Sequence, residues 1–185
     1  MTSSKNLEEF WTRGDIHSRV RKAMLEADLI DKKLDIEDLF PIDQYHARGI
    51  SATVDLGKRM PILKNQKILD IGCGLGGPAR YYAKQFECFI TGIDITSSFI
   101  ELGNEFNKLT SMSDKINLTI GNGETLKFED NTFDGAYSQH VTMNISNRKS
   151  FFSEAYRVLK KGSFFAFTEH GLGPLGEPIF PLPCL

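Results

Sequence analysis

The sequence predicts an α/β fold in which a mostly parallel β-sheet carries helices on both faces. Three observations support this prediction: five short apolar runs, helix-length intervals between most of them, and a glycine cluster directly after the first run. Continuous apolar runs are typical of strands that are buried on both faces, and parallel strands need crossover connections between them. The predicted strands are KILDI (67–71), FITGID (89–94), INLTI (116–120), FDGAYS (133–138) and FFAFTE (164–169).

The region before the first strand predicts two helices. Residues 16–30 carry apolar side chains near helical spacing and follow Asp15, a residue type that caps helix N-termini. A second helical pattern covers residues 50–60, with apolar side chains four positions apart on one face. Gly57 lies inside that pattern and counts against a helix there.

Length and composition limit the number of domains. A chain of 185 residues, with 41% hydrophobic and 25% charged residues, can bury one sizeable core and is short for two. We therefore expect an N-terminal helical segment over residues 1–60 and a sheet domain over residues 61–185.

Charge and composition disfavour several classes of partner. The formal net charge is −2 and the lysines are scattered among acidic residues, so the basic stripe that nucleic-acid binding requires is absent from the sequence. The first residues lack the apolar region of a signal peptide, and no window approaches the roughly 18 apolar residues of a membrane span. We expect a soluble, cytoplasmic protein with no nucleic-acid or membrane partner.

The cysteines predict neither a disulfide framework nor a metal site. Cys73, Cys88 and Cys184 are odd in number and have no CxxC or HxxxH pattern around them. We expect free thiols and no bound metal.

The stretch ILDIGCGLGGPARYYA (68–83) combines the first predicted strand with a glycine turn and the start of a helix. In an open α/β sheet, ligands bind beyond the carboxyl ends of the strands, where the first strand-to-helix turn lies. Glycines in this turn permit a tight bend and a close approach of backbone N–H groups to a ligand. A GxGxxG pattern alone, here Gly72, Gly74 and Gly77, is a weak signal, because many turns match it.

An acidic residue at the end of the second predicted strand narrows the ligand class. The Asp94 carboxylate can accept hydrogen bonds from both vicinal hydroxyls of a ribose. The glycine turn and Asp94 together predict a ribose-bearing cofactor.

The choice of cofactor depends on a resemblance to a known family. The segments ILDIGCGLGG, GIDIT, GNGETLKFEDNTFDGAYS and YRVLKKGSFFAF resemble, in order and spacing, the motifs of class I S-adenosylmethionine-dependent methyltransferases, which have a Rossmann-like fold. The resemblance covers about residues 67–169. The shorter strings DQYHARG, SQHVTMNI and EPIFPLP are similar to a narrower group that methylates sarcosine, dimethylglycine and related amines.

The resemblance implies S-adenosyl-L-methionine as the cofactor, with the glycine turn against its methionine part and Asp94 on its ribose. Ile95 would flank the adenine, and the backbone carbonyl of Gln139 would bind the amino group. Asn122 and Gly123 stand where the family usually has an Asp-Ala pair, and the Asn122 carbonyl oxygen can still accept a hydrogen bond from the adenine amine. The predicted cofactor-binding residues are Asp70, Gly72, Cys73, Gly74, Gly76, Asp94, Ile95, Asn122, Gly123 and Gln139.

Methyl transfer from a sulfonium needs alignment more than a dedicated nucleophile. For an amine acceptor, a histidine could remove or share the proton, and His140 and His46 are the candidates. Tyr45 could close over the cofactor from the N-terminal segment, which would make residues 1–60 a lid. The same residues could act as a base toward a carbon or oxygen acceptor, so the acceptor atom stays open.

Each assignment also has a plainer interpretation. The glycine turn could be structural, Asp94 could cap the following helix, and Asn122 with Gly123 could simply form a turn. His46 and His140 could be structural groups held by hydrogen bonds.

Relatives of this family continue past the fifth strand with further helices and two more strands. This chain ends at Leu185, so we expect a fold without those strands and a fifth strand near the sheet edge. Three explanations for the missing strands remain open. The chain is a truncated remnant, it forms a homodimer that covers the sheet edge, or a partner chain supplies the missing part.

Two functions therefore remain open from the sequence. The chain either methylates a small molecule, with an amine favoured, or retains cofactor binding as an inactive remnant or a subunit that needs a partner. A dinucleotide oxidoreductase is a third and weaker interpretation, because GNGETL and YRVLKKGSFF have no role in it.

Overall fold

The computed structural model describes residues 16–30 and 32–169. Five strands form one parallel sheet with the order β3-β2-β1-β4-β5, which confirms the predicted Rossmann-like class. The strands are β1 (Lys67–Ile71), β2 (Phe89–Asp94), β3 (Ile116–Ile120), β4 (Phe133–Gln139) and β5 (Leu159–Thr168).

Six α-helices are described, and the crossover helices between strands explain why the sheet is parallel. They are α1 (Ile16–Glu26), α2 (Phe40–Asp43), α3 (Ile50–Gly57), α4 (Gly77–Phe86), α5 (Ser97–Leu109) and α6 (Arg148–Val158). Two 3₁₀ turns cover Ile36–Leu39 and Thr142–Asn144. The predicted cap Asp15, the EPIFPLP string and Cys184 lie outside the described residues.

The two N-terminal helices are shorter than their periodicity predicts. The first ends at Glu26 and the second at Gly57. Gly57 is required by packing, because a Cβ at this position would lie 2.9 Å from the ring of Tyr82. The glycine that counts against a helix in the sequence therefore lets α3 approach α4.

Strand β5 begins earlier than the predicted run 164–169. Leu159 pairs with Phe133 and Phe164 pairs with Gly135, so the intervening residues form a bulge. Gly162 lies in that bulge with φ +83°, a conformation that glycine adopts at little cost. The polar residues of the bulge hide the start of the strand in the sequence.

Alternate residues of the sheet bury opposite faces. Ile68 packs with α3 and α4 on one face, while Leu69 packs with α6 on the other. A third apolar cluster joins the N-terminal segment to the glycine turn and to α5, and therefore crosses the predicted boundary at residues 60 and 61. Its buried members are Ile16, Val20, Leu34, Leu39, Leu75, Phe99, Leu102 and Phe106.

Strand β5 forms one edge of the sheet, with no strand beyond it among the described residues. Phe167 on this strand and Phe152 on α6 remain 49% and 37% exposed. An unpaired edge with exposed aromatic rings is open to further strand pairing.

Candidate cofactor site

The strand order reverses between β1 and β4, and a cavity opens there at the carboxyl ends of the strands, where open α/β sheets bind ligands. It holds about 140 Å³ of space that a water-sized molecule can reach, and its mouth is open to solvent. The lining comes from the loops after four strands and from the N-terminal segment. It includes Tyr45, Ile71, Gly72, Gly74, Ile93, Asp94, Ile95, Thr96, Phe99, Gly121, Asn122, Gly123, Glu124, Gln139, His140 and Val141.

The first two glycines of the turn line the cavity, although a Cβ on Gly72 would lie 2.3 Å from Val141. Gly72 has φ +85°, and its N–H and that of Cys73 both donate to the Ile93 carbonyl, at 2.8 and 2.9 Å. Gly74 has φ +52°, and a Cβ there would meet no atom within 4 Å. The backbone of Gly74 is therefore open on the cavity side, where a ligand could lie against it.

The last two glycines of the turn face the protein. A Cβ on Gly76 would lie 2.8 Å from Leu118, and a Cβ on Gly77 would lie 2.4 Å from the Asp43 carbonyl oxygen. Neither glycine lines the cavity. Close packing of the sheet and of the N-terminal segment explains these two glycines.

Asp94 lines the cavity and holds the turn. One carboxylate oxygen accepts the N–H of Gly74 and the other accepts the N–H of Thr96, both at 2.9 Å. Burial raises the pKa of this carboxyl group, while these N–H donors oppose the rise. A carboxylate has about four lone-pair positions, so acceptor capacity remains for two ribose hydroxyls.

The predicted adenine-side residues line the same cavity. Ile95 follows Asp94, and the Asn122 carbonyl oxygen accepts the N–H of Glu124 at 2.8 Å, which forms a local turn. A Cβ on Gly123 would lie 2.9 Å from the Phe151 ring. Asn122 and Gly123 therefore have a turn and packing role whether or not adenine binds beside them.

Gln139 supplies a buried polar group at the cavity. Its side chain is mostly buried, and its carbonyl oxygen accepts the Tyr82 hydroxyl at 3.3 Å. Its amide nitrogen has no hydrogen-bond partner among the described residues. An unpaired buried donor is costly, so a ligand acceptor at this position would be favourable.

Two predicted residues lie beneath the cavity rather than on its surface. Asp70 is buried and accepts the Tyr137 hydroxyl at 2.7 Å. Burial raises the pKa of Asp70 to about 7, and the Tyr137 hydroxyl opposes the rise. Cys73 is buried as a free thiol, and burial raises its pKa well above the ordinary value.

The structure brings the two candidate histidines together. The His46 and His140 rings stack with centroids 5.6 Å apart, and His140 lines the cavity while His46 lies behind it. His46 Nε2 contacts the Thr53 hydroxyl at 3.2 Å, and burial lowers the pKa of His46. His140 has φ +57°, and its backbone N–H donates to the Thr168 carbonyl oxygen at 2.8 Å.

Tyr45 reaches the cavity from the N-terminal segment. Its ring packs edge-on against Phe99 of α5, with the ring centroids 5.9 Å apart. Sequence reasoning missed Phe99, Thr96 and Glu124 as lining residues, although each closely follows a predicted strand. Proximity to the carboxyl end of a strand was the available signal.

The charged side chains of the cavity lining are both acidic. Asp94 and Glu124 contribute carboxylates, and no lysine or arginine lines the cavity among the described residues. Such a site attracts cations and repels phosphates. It fits a sulfonium-bearing nucleoside and fits the diphosphate of a dinucleotide poorly.

No group of residues that could hold a metal ion is present in the part of the chain that the structure describes. The same described residues include no helix of sufficient length and apolarity to cross a membrane.

The fold and the cavity thus define an α/β protein with an open cavity at the switch point of its sheet, the place where proteins of this fold class bind nucleotide cofactors. A family model described as a methyltransferase domain matches residues 69–167, more than half of the chain. The chain belongs to the family of S-adenosylmethionine-dependent methyltransferases, and S-adenosyl-L-methionine is the cofactor of this family.

Curated relatives act on different acceptors. The chain is 40% identical over 116 residues to 24-methylenesterol C-methyltransferase 3 of Arabidopsis thaliana, covering 63% of this chain and 32% of that protein. It is 35% identical over 129 residues to a sarcosine/dimethylglycine N-methyltransferase of Aphanothece halophytica, covering 70% of this chain and 46% of the relative. The chain thus spans about a third to a half of the length of these relatives.

Solved structures confirm the fold. The chain superimposes on the [4+2]-cyclase SpnF with a TM-score of 0.63 and 26% identity, covering 64% of this chain and 44% of the cyclase. Since one similar structure is named a cyclase, the function must be argued from the site.

Proposed function

We propose that this chain binds S-adenosyl-L-methionine in the cavity and directs methyl transfer to a small-molecule acceptor, an amine. The observation that carries the proposal is the open backbone face of Gly74 directly beside the carboxylate of Asp94. The methionine part of the cofactor can lie against the Gly74 backbone, and the Asp94 carboxylate can accept hydrogen bonds from the ribose hydroxyls. The carboxylates of Asp94 and Glu124 in the lining would attract a sulfonium cation electrostatically.

The protein's contribution would be alignment. S-adenosyl-L-methionine supplies an activated methyl group, so the chain must hold the acceptor in line with it and exclude water. Asp94 and the glycine turn hold one side of the cavity, and Tyr45 with Phe99 forms a wall on the side of the N-terminal segment. We propose residues 1–60 as the lid of the site on this basis.

An amine acceptor must reach the site with its lone pair available. His140 lines the cavity and is stacked on His46, whose pKa is lowered by burial. A neutral imidazole at neutral pH can accept a proton from an ammonium group. We propose that His140 accepts or shares this proton and that His46 supports its ring.

The charge of the cavity favours an amine over an anionic acceptor. Asp94 and Glu124 would attract an ammonium group and repel a phosphate or diphosphate. The relative named as a sarcosine/dimethylglycine N-methyltransferase agrees with this choice, whereas the relatives named as sterol C-methyltransferases keep a carbon acceptor as the competing outcome.

The second candidate function is cofactor binding without methyl transfer. It is favoured by the edge position of β5, where Phe167 is half exposed and no further strand follows among the described residues. In this case another chain, or a second copy of this one, would complete the acceptor side.

Isothermal titration with S-adenosyl-L-methionine and its demethylated product tests the proposal in wild type, Asp94→Ala and Asp134→Ala. Asp134 is a matched control, because its carboxylate also accepts a backbone N–H, that of Lys67, but at the opposite end of the sheet. We expect binding by wild type and Asp134→Ala and at least about tenfold weaker binding by Asp94→Ala, as for the loss of hydrogen bonds to a charged group.

Methyl transfer is then measured with glycine-derived amines and with a sterol as competing acceptors. Turnover with an amine supports the full proposal, and turnover with the sterol alone contradicts the amine assignment. Cofactor binding without any turnover favours the second candidate. A folded wild-type protein that binds neither cofactor form contradicts both.

A further inference from the structure

A fully buried arginine lies behind the glycine turn and contributes nothing to the cavity lining. Arg80 of α4 has an exposed side-chain fraction of 0%, and all five of its N–H donors have acceptors. Nε and Nη2 donate to Asp43 Oδ2 at 3.2 and 3.0 Å, and Nη2 also donates to the Leu75 carbonyl oxygen. Nη1 donates to the Gly103 carbonyl oxygen at 3.2 Å and to Asn107 Oδ1 at 2.7 Å.

Stability alone is a weak reason for such a group. Replacing a buried ion pair by apolar side chains of similar volume is often neutral or stabilising, because burying charge is costly. What Arg80 supplies is geometry, since its planar guanidinium fixes acceptors in defined directions. Those acceptors belong to three separate parts of the chain: the N-terminal segment, the glycine turn and α5.

Two of these parts contribute residues to the cavity lining. Leu75 lies in the glycine turn next to Gly74, which offers the open backbone face. Asp43 ends α2 two residues before Tyr45, which lines the cavity against Phe99. One guanidinium therefore joins the turn beneath the cavity to the segment that carries Tyr45.

The contact between Asp43 and α4 is direct as well. The Asp43 carbonyl oxygen would lie 2.4 Å from a Cβ on Gly77, and the other carboxylate oxygen of Asp43 accepts the Gln44 amide at 3.2 Å. Gln44 accepts the Thr53 hydroxyl at 2.7 Å, and the same hydroxyl contacts His46. The segment 43–46 is thus held at its first residue by Arg80 and further along by Thr53.

We propose that Arg80 and Asp43 form a positioning pair that holds Tyr45 over the cavity and thereby sets the affinity for the cofactor. This inference rests on the proposed function. Arg80 touches no cavity surface, so it acts through Leu75 on one side and through Asp43 and Tyr45 on the other.

A double-mutant cycle tests the pair. S-adenosyl-L-methionine is titrated into wild type, Asp43→Asn, Tyr45→Ala and the double variant. We expect Asp43→Asn to weaken binding about tenfold. Tyr45→Ala should weaken binding in wild type but add little in the Asp43→Asn background, because the effects of two residues that act through the same contact are non-additive. Losses that add fully, or an unchanged affinity in Asp43→Asn, overturn the proposal.

Hydrogen exchange without ligand gives an independent readout. We expect peptides covering 44–50 to exchange faster in Asp43→Asn, while peptides of β1 and β4 keep their wild-type rates. Val158→Ala is the control for general destabilisation, because Val158 is fully buried on the opposite face of the sheet. Uniformly faster exchange in Asp43→Asn, as in a generally destabilised protein, overturns the proposal.

If Asp43→Asn does not fold, the paired replacement Asp43→Leu/Arg80→Met takes its place, since it leaves no buried charge unpaired. It is expected to fold, to bind the cofactor more weakly and to abolish the effect of Tyr45→Ala. Wild-type affinity in this variant overturns the inference alone. Failure of folded wild type to bind the cofactor overturns the proposed function and the inference together.

Discussion

The two halves of the glycine turn contain two glycines each, and the glycines have different surroundings. In the first half, residues 70–74, Gly72 and Gly74 face the cavity, and Asp70 is buried beneath them. In the second half, residues 76–80, Gly76 and Gly77 face the protein, and Arg80 joins them to the N-terminal segment. Packing accounts for three of the four glycines, since a Cβ would collide with Val141 at Gly72, with Leu118 at Gly76 and with Asp43 at Gly77. Only Gly74 is open, so a ligand is needed to explain that position alone.

A buried carboxylate accompanies each half, Asp70 within the first and Asp43 of α2 packed against the second, and the two differ in their partners. Asp43 accepts two hydrogen bonds from the guanidinium of Arg80, whereas Asp70 accepts one from the neutral hydroxyl of Tyr137. A buried carboxylate without a cation holds its proton to higher pH. Burial raises both pKa values, that of Asp43 to about 6 and that of Asp70 to about 7, and the Arg80 guanidinium opposes the rise at Asp43.

The largest expected effect concerns Asp70 and pH. Its pKa is raised from an ordinary 3.8 to about 7 in the folded chain, so between these values the folded state holds a proton that the unfolded state has released. Stability should fall as pH rises through this window and then level off. In Asp70→Asn the contribution of Asp70 to this dependence disappears, which leaves the variant more stable at pH 8 by up to about 4 kcal/mol.

Urea unfolding at pH 5, 6, 7 and 8 measures the difference between wild type and Asp70→Asn. Asp134→Asn is the control, because the Lys160 ammonium lowers the pKa of Asp134 and leaves it ionised throughout this window. Parallel stability curves for wild type and Asp70→Asn would contradict the expectation.

The second expected effect concerns Gly77. In Gly77→Ala the new methyl group collides with the backbone oxygen of Asp43, which cannot move without displacing the N-terminal segment. We expect a loss of about 3 kcal/mol in the free energy of unfolding, as for overpacked sites, measured by urea denaturation. Gly49→Ala is the control, since Gly49 has φ +50° and no atom within 4 Å, so only backbone strain is added. Equal losses in the two variants would show that the close approach at Gly77 is unimportant.

The smallest effect on stability, with a distinct effect on binding, is expected at Gly74. Gly74→Ala adds a methyl group at φ +52° in open space, so strain of about 1–2 kcal/mol is the only cost to folding. Gly162→Ala adds comparable strain at φ +83°, also without contacts and far from the cavity. Only Gly74→Ala should weaken S-adenosyl-L-methionine binding in calorimetry. Equal affinities of Gly74→Ala and Gly162→Ala would show that the ligand does not lie against Gly74.

Local pattern predicted most of the sheet. Four strands lie at or within one residue of their predicted bounds, because buried parallel strands are read as uninterrupted apolar runs. The start of β5 was missed, since the bulge around Gly162 places polar residues within a strand. The ends of α1 and α3 were missed because apolar periodicity continues into the turns that follow them.

Some of the predicted site residues line the cavity and others do not. Residues at strand ends, such as Asp94, Asn122 and Gln139, line the cavity as the order of segments predicts. Asp70 and Cys73 are adjacent to lining residues in sequence but are buried on the other side of the backbone.

The sequence by itself determined the order of strands and helices, the position of the glycine turn and the acidic residue at the end of the second strand. These features depend on local periodicity and on motifs within a few residues of one another. Only the tertiary structure decided which glycines are tightly packed and which is open, that His46 stacks on His140, and that Arg80 binds Asp43. Those contacts join residues 37 to 94 positions apart, and their energies depend on burial and geometry that arise only after the segments have packed together.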